Sequence, residues 1–171
     1  MSNIQTLAEE ELTLFIRSFY GDDYCFITAD QGERIDWRVE IAKYERGEPS
    51  AITPPWGVFH LFSAEPLSGW GMNASTFGQR AQAWHTERIM AEDGTARDVL
   101  EISALLAQKA HDLRKALYAH QFTYLTVLDE GTRVNTSLDT APNRYFSQAA
   151  LPYKSGCLDI QFMYGEVDAE G

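Results

Sequence analysis

From Val99 to Leu117 the apolar residues step by three and four: Val99, Ile102, Leu106, Ala110, Leu113 and Leu117. That is the period of an α-helix with one apolar stripe, and no other pattern in the chain narrows its fold so far. The spacing predicts a helix from about Ala96 to Ala119, on the order of 36 Å long at 1.5 Å per residue. Thr95, with Asp98 three residues on, supplies a capping-box start, although Asp is a weaker partner there than Glu. Lys109, Arg114, Lys115 and His120 load the C-terminal half with positive charge, as the helix dipole prefers.

A shorter helix is predicted near the N-terminus. Thr6 and Glu9 are spaced as a capping box, and Leu12, Phe15, Ile16 and Phe19 lie on one face. Gly21 ends it and Asp22-Asp23 makes the turn. Strands account for most of the rest. The cleanest alternation begins at Gly156, with Leu158, Ile160, Phe162 and Tyr164 against Asp159, Gln161 and Met163. Residues Val58 to Ser63 are apolar on both faces, as a central covered strand requires. Tyr24 to Ala29, Trp37 to Tyr44, Ala81 to Met90, Phe122 to Leu128 and Arg144 to Leu151 are further strand candidates. In the second of these, Trp37, Val39 and Ile41 oppose Arg38, Glu40 and Ala42. Proline and glycine mark Arg46 to Pro55 as a loop. The expected fold is α+β: a mainly antiparallel sheet with two helices packed on it, one domain over 1–171, with extended loops near 64–78 and 129–156. No internal repeat or low-complexity stretch is present.

Composition bounds the function. A chain of 171 residues, 44% hydrophobic and 23% charged, can bury a core without disulfides or a structural metal. Its net charge is −11 and its pI about 4.7, the wrong sign for gripping nucleic acid or an anionic membrane. The acid excess sits at the two ends, with residues 51–125 nearly neutral. Cys25 and Cys157 are expected to be free thiols, since two cysteines in apolar strand-like runs make neither a disulfide framework nor a C-x-x-C site. The N-terminal acids do not fit a signal peptide, and no apolar run approaches the roughly 20 residues that span a bilayer. A soluble protein made in the cytoplasm is expected.

Candidate chemistry is sparse. His60 sits between Phe59 and Leu61 as a sheet-face histidine would. His85 and Glu87 form an H-x-E pair, but the P-C-x-x-C that completes a zinc deaminase site is missing from the sequence. His111 and His120 are nine residues apart on one helix, not the four that would bring two ligands together. No G-x-S-x-G elbow occurs, and the G-x-G around Trp70 precedes a strand rather than a helix. No catalytic, cofactor-binding or metal-binding residue is assigned, and no enzyme activity or cofactor is expected. The four tryptophans are the remaining feature. Trp37 and Trp84 fit strand faces. Trp56, after Pro54-Pro55, and Trp70, between two glycines, are interface candidates, with folding back onto the domain as the alternative for Trp70.

The element order, the P-P-W-x-V-F-x-L run leading into a strand at Pro54 to Leu61, the Ala/Leu-rich helix and the final Y-K-S-G-C-L-D-I-Q-F-M-Y strand are together similar to the tail terminator and neck terminator (head-tail joining) proteins of tailed bacteriophages, the lambda-type tail terminator fold. The resemblance spans roughly residues 6 to 165. It implies a virion structural subunit, assembled in the host cytoplasm. Six protomers would close into a homohexameric ring that caps the tail tube and joins the tail to the neck. Such proteins bind no cofactor, and DNA passes through the lumen without specific binding. An acidic surface suits such a conduit, because repulsion keeps DNA from sticking. The rival reading is a small acidic inhibitor or immunity-type protein that neutralises a basic partner by charge complementarity.

Overall fold

The computed structural model describes residues 3–66, 76–88, 99–135 and 153–165. Helix α1 (Asn3–Tyr20) buries Ile4, Ala8, Leu12 and Ile16, a single stripe with four-residue steps. A 3₁₀ turn at Gly21–Asp23 follows, and Gly21 takes a φ of 64°, a left-handed conformation that a side chain would disfavour. Strand β1 (Cys25–Thr28) leads into two short helices, α2 (Ala29–Arg34) and α3 (Trp37–Glu45). Strands β2 (Trp56–Leu61), β3 (Glu65–Pro66) and β4 (Thr76–Arg88) come next, then the long helix α4 (Val99–Ala119). Strands β5 (Thr126–Val127), β6 (Arg133–Asn135) and β7 (Tyr153–Gly165) close the fold.

The class is α+β, and among the described residues the strands form one seven-stranded sheet ordered β1-β2-β4-β7-β5, with β3 beside β4 and β6 beside β7. Its spine is the antiparallel pair β4–β7, thirteen residues each, in register from Thr76 opposite Gly165 to Arg88 opposite Tyr153. The sheet is mixed, because β1 runs parallel to β2. The intervening α2–α3 segment carries the chain back across the sheet, as parallel neighbours require.

Each face of the sheet has its own apolar cluster. On one, α1 and α4 cover Phe59, Ala81, Ala83, Leu158, Ile160 and Phe162. On the other, Trp37 and Ile41 of α3 meet Trp56, Val58, Trp84 and Cys157. A latch fixes α3 there: Arg88 donates to both Glu45 carboxylate oxygens, at 2.9 and 2.7 Å, and the Tyr153 hydroxyl donates to one of them. Hydrogen bonding from Arg88 holds the Glu45 carboxyl below its ordinary range, ahead of the opposing effect of burial.

Several expectations need correction. Among the described residues four helices pack on a mixed sheet, where two helices on a mainly antiparallel one were expected. Residues Trp37 to Tyr44 are helical, because Asp36 caps the segment by accepting from the Val39 N–H at 3.3 Å. Of the supposed inner face only Trp37 and Ile41 are buried, a spacing of four that helix and strand share, while Val39 is exposed. Thr6 makes no N-cap, since α1 is already helical from Asn3. Over Phe122 to Leu128 the strand shrinks to Thr126–Val127, because the Glu11 carboxylate takes the Thr123 and Tyr124 N–H groups. The presumed loops are partly strand: β3 and the start of β4 lie within 64–78, and β6 and the start of β7 within 129–156. The candidate strand at 144–151 lies outside the described residues.

Candidate functional site

The tryptophans divide at once. Trp56 is only 1% exposed, its ring 5.9 Å from that of Trp37 and 4.9 Å from that of Tyr153. It is core, and a partner could reach it only by opening the fold. The sequence pattern misplaced it because the Pro-Pro pair reads as loop, whereas β2 begins at Trp56 itself. Trp70 lies outside the described residues.

The H-x-E pair does not form a reactive centre. His85 is fully buried under α1 and α4, its Nε2 2.8 Å from the Leu106 carbonyl and its Nδ1 3.3 Å from the Tyr20 hydroxyl. Burial, opposed by the bond to Leu106 and helped by the Lys109 charge, pulls its pKa down to about 4. The ring is therefore neutral near pH 7, with Nε2–H donating to the carbonyl and Nδ1 accepting from Tyr20. Glu87 instead accepts from the Tyr24 hydroxyl at 3.0 Å. Cys25 is half-buried and Cys157 buried, both as free thiols, and burial pushes the Cys157 thiol well up. A low-pKa nucleophile would need the opposite shift. Among the described residues no cluster of three or more His, Cys, Asp or Glu side chains is arranged to hold a metal ion. Nor, among them, is any helix long and apolar enough to cross a membrane.

What the structure does build is a pair of unlike surfaces at opposite edges of the sheet. At the β1–β2 edge a groove of about 480 Å³ runs between α1 and the β1–α2 junction. Its floor holds Phe59, Leu61 and Leu14, and Glu9, Glu10 and Asp30 rim it. Leu14 is 63% exposed although it sits on a helix whose stripe is otherwise buried. Glu9 is tied down, accepting from Gln79 Nε2 at 2.8 Å, whereas Glu10 and Asp30 stand on the surface.

The other surface belongs to α4. Its Lys109 flank faces the α1 end, with Nζ 5.0 Å from the Phe19 ring centroid and 4.9 Å from that of Tyr24. Its opposite flank carries Arg114 and Tyr118 beside the β5–β6 turn, while His111 and Lys115 are exposed. There Tyr118 and Arg114 both donate to Asp129 Oδ1, at 2.9 and 3.4 Å. Leu105 (51%) and Tyr118 (42%) are exposed on this helix. Sequence reasoning noted the basic load of the helix but missed the groove. Its one signal was Leu14, an apolar residue out of phase with the α1 stripe.

No protein-family model matches the chain, and a search of curated proteins gives no match either.

Proposed function

We propose that this chain is a structural subunit of a tailed-phage virion, a tail-terminator-like protomer. Its copies close into a ring, six by the resemblance, that caps the tail tube and joins it to the neck. The observation that carries this reading is the exposure of large apolar side chains at both edges of one sheet: Leu14 beside β1–β2, and Tyr118 of α4 beside the β5–β6 turn. Two unlike sticky surfaces on opposite sides of a protomer are what a heterologous contact needs, and such contacts close into rings when the rotation allows. The net charge of −11 supports a lumen through which DNA slides without binding. The acid-rimmed groove also favours a second reading, an inhibitor of a basic protein. Size-exclusion chromatography with light scattering, over micromolar to near-millimolar protein, separates the two. A concentration-dependent species near six copies supports the ring; a monomer throughout overturns it in favour of the inhibitor.

A further inference from the structure

We propose that the groove between α1 and the β1–α2 junction takes an extended, lysine- or arginine-rich segment of another protein, added as a short strand to the open end of the β2 edge. The proposal goes beyond the ring reading and does not depend on it. Ring closure is read from copy number, and this contact from the binding of a partner.

The backbone supplies the first half of the argument. The Phe62 N–H bonds to the Arg80 carbonyl at 2.9 Å, toward β4. Backbone direction alternates along a strand, so the N–H and C=O of Leu61 point the other way, toward the β1 side. There β1 has already ended. Its last pair is Thr28 with Phe59, and at Ala29 the chain turns into α2. Among the described residues no hydrogen bond to the Leu61 N–H or C=O replaces the missing strand. Such an edge accepts an added strand through main-chain bonds.

Side chains select the occupant. Phe59 and Leu61, alternate residues of β2, share the floor of the groove with the exposed Leu14. Glu9, Glu10 and Asp30 line it, and no Lys, Arg or His does. Glu9 is committed to Gln79, whereas Glu10 and Asp30 are exposed and make no ion pair with a described residue. Nearby bases are engaged elsewhere or stand outside. Arg17, one turn along α1, lies over the Phe26 ring at 5.1 Å, and Arg80 lies over the Phe62 ring at 5.4 Å on the other face of the sheet. Arg34, one turn beyond Asp30 on α2, does not line the groove. An extended segment with alternating basic and apolar residues matches both the free edge and the charge. A second copy of this chain, itself at −11, brings net repulsion instead.

The probe is a fluorescein-labelled peptide, Lys-Val-Lys-Val-Lys-Val-Lys, read by fluorescence anisotropy at physiological ionic strength. It should bind wild type, and Glu10→Lys combined with Asp30→Lys should weaken binding about tenfold or more. A control chain with Asp22→Lys and Asp112→Lys has the same net charge, changed away from the groove, and should bind nearly as well as wild type. Unchanged far-UV circular dichroism and thermal midpoints would show that both chains are folded. Methylating alternate backbone nitrogens of the peptide, in each of the two patterns, should abolish binding in at least one, since a methylated nitrogen cannot donate to the Leu61 carbonyl. No binding by wild type overturns the proposal. So does equal loss in the two substituted chains, which would leave net charge as the only attraction. Full binding by both methylated peptides removes the added strand and overturns it too. A wild-type chain that self-associates and is returned to monomer by the peptide would put a second copy in the groove, against this proposal.

Discussion

His85 occupies the centre of the helix-facing side of the sheet, bridging α1 through Tyr20 and α4 through Leu106. Neighbouring backbone makes room for it. A Cβ on Gly156, its partner across the β4–β7 ladder, would stand 2.6 Å from Nε2. The ring has a use only while neutral, since both nitrogens are committed and Lys109 lies near. In the unfolded chain the imidazole titrates near 6.5, and in the fold at about 4. Below pH 6.5 the unfolded chain takes up a proton that the folded one refuses. Stability should therefore fall as the pH drops from about 6.5 toward 4 and level off below, by about 3 kcal/mol in all. Urea titrations at pH 7 and pH 5 check this. His85→Gln, which can still donate to Leu106, should show a smaller difference between the two pH values. An equal difference would place the titrating group elsewhere.

Among the elements, α4 was legible and α3 was not, and the reason is a matter of period. Ile102, Leu106, Ala110, Leu113 and Leu117 are all buried, over enough turns that only a helical spacing fits. In α3, two buried residues four apart satisfy both periods, so the cap at Asp36 decides. Leu113→Ala should cost about 2–5 kcal/mol, while Leu105→Ala on the exposed side should cost under about 1 kcal/mol. Equal losses in denaturant titration would show that the stripe is misassigned. Neither surface of the candidate site could be drawn from sequence. The groove arises where α1, β1 and β2 meet, and its lining residues are spread from Glu9 to Leu61.

At the scale of the molecule, two apolar clusters share one sheet, so neither face can be lost without uncovering the other side of the same strands. Trp37, Trp56 and Trp84 all belong to the α3 face, whereas most of the helix lies in α1 and α4 on the other. In a Trp70→Phe chain, tryptophan fluorescence and far-UV circular dichroism thus report on opposite faces. Their unfolding midpoints should coincide in urea, as a two-state domain requires. Separate midpoints would mean that the α2–α3 face opens by itself.

The β4–β7 ladder also governs when this protein can exist during its own synthesis. Partners in that ladder lie roughly 65 to 90 residues apart along the chain, with all of α4 between them, so the closing contacts are non-local and slow to form. Until Gly165 has cleared the ribosome, the nascent chain carries β2 and β4 with one edge open and the α1 and α4 stripes without most of their floor. Ala81 and Ala83 of β4 are in place by then, but Leu158, Ile160 and Phe162 are not. Such an exposed intermediate is the kind that chaperones hold. A chain whose sheet closes last cannot present finished sheet edges to any partner while it is still being translated.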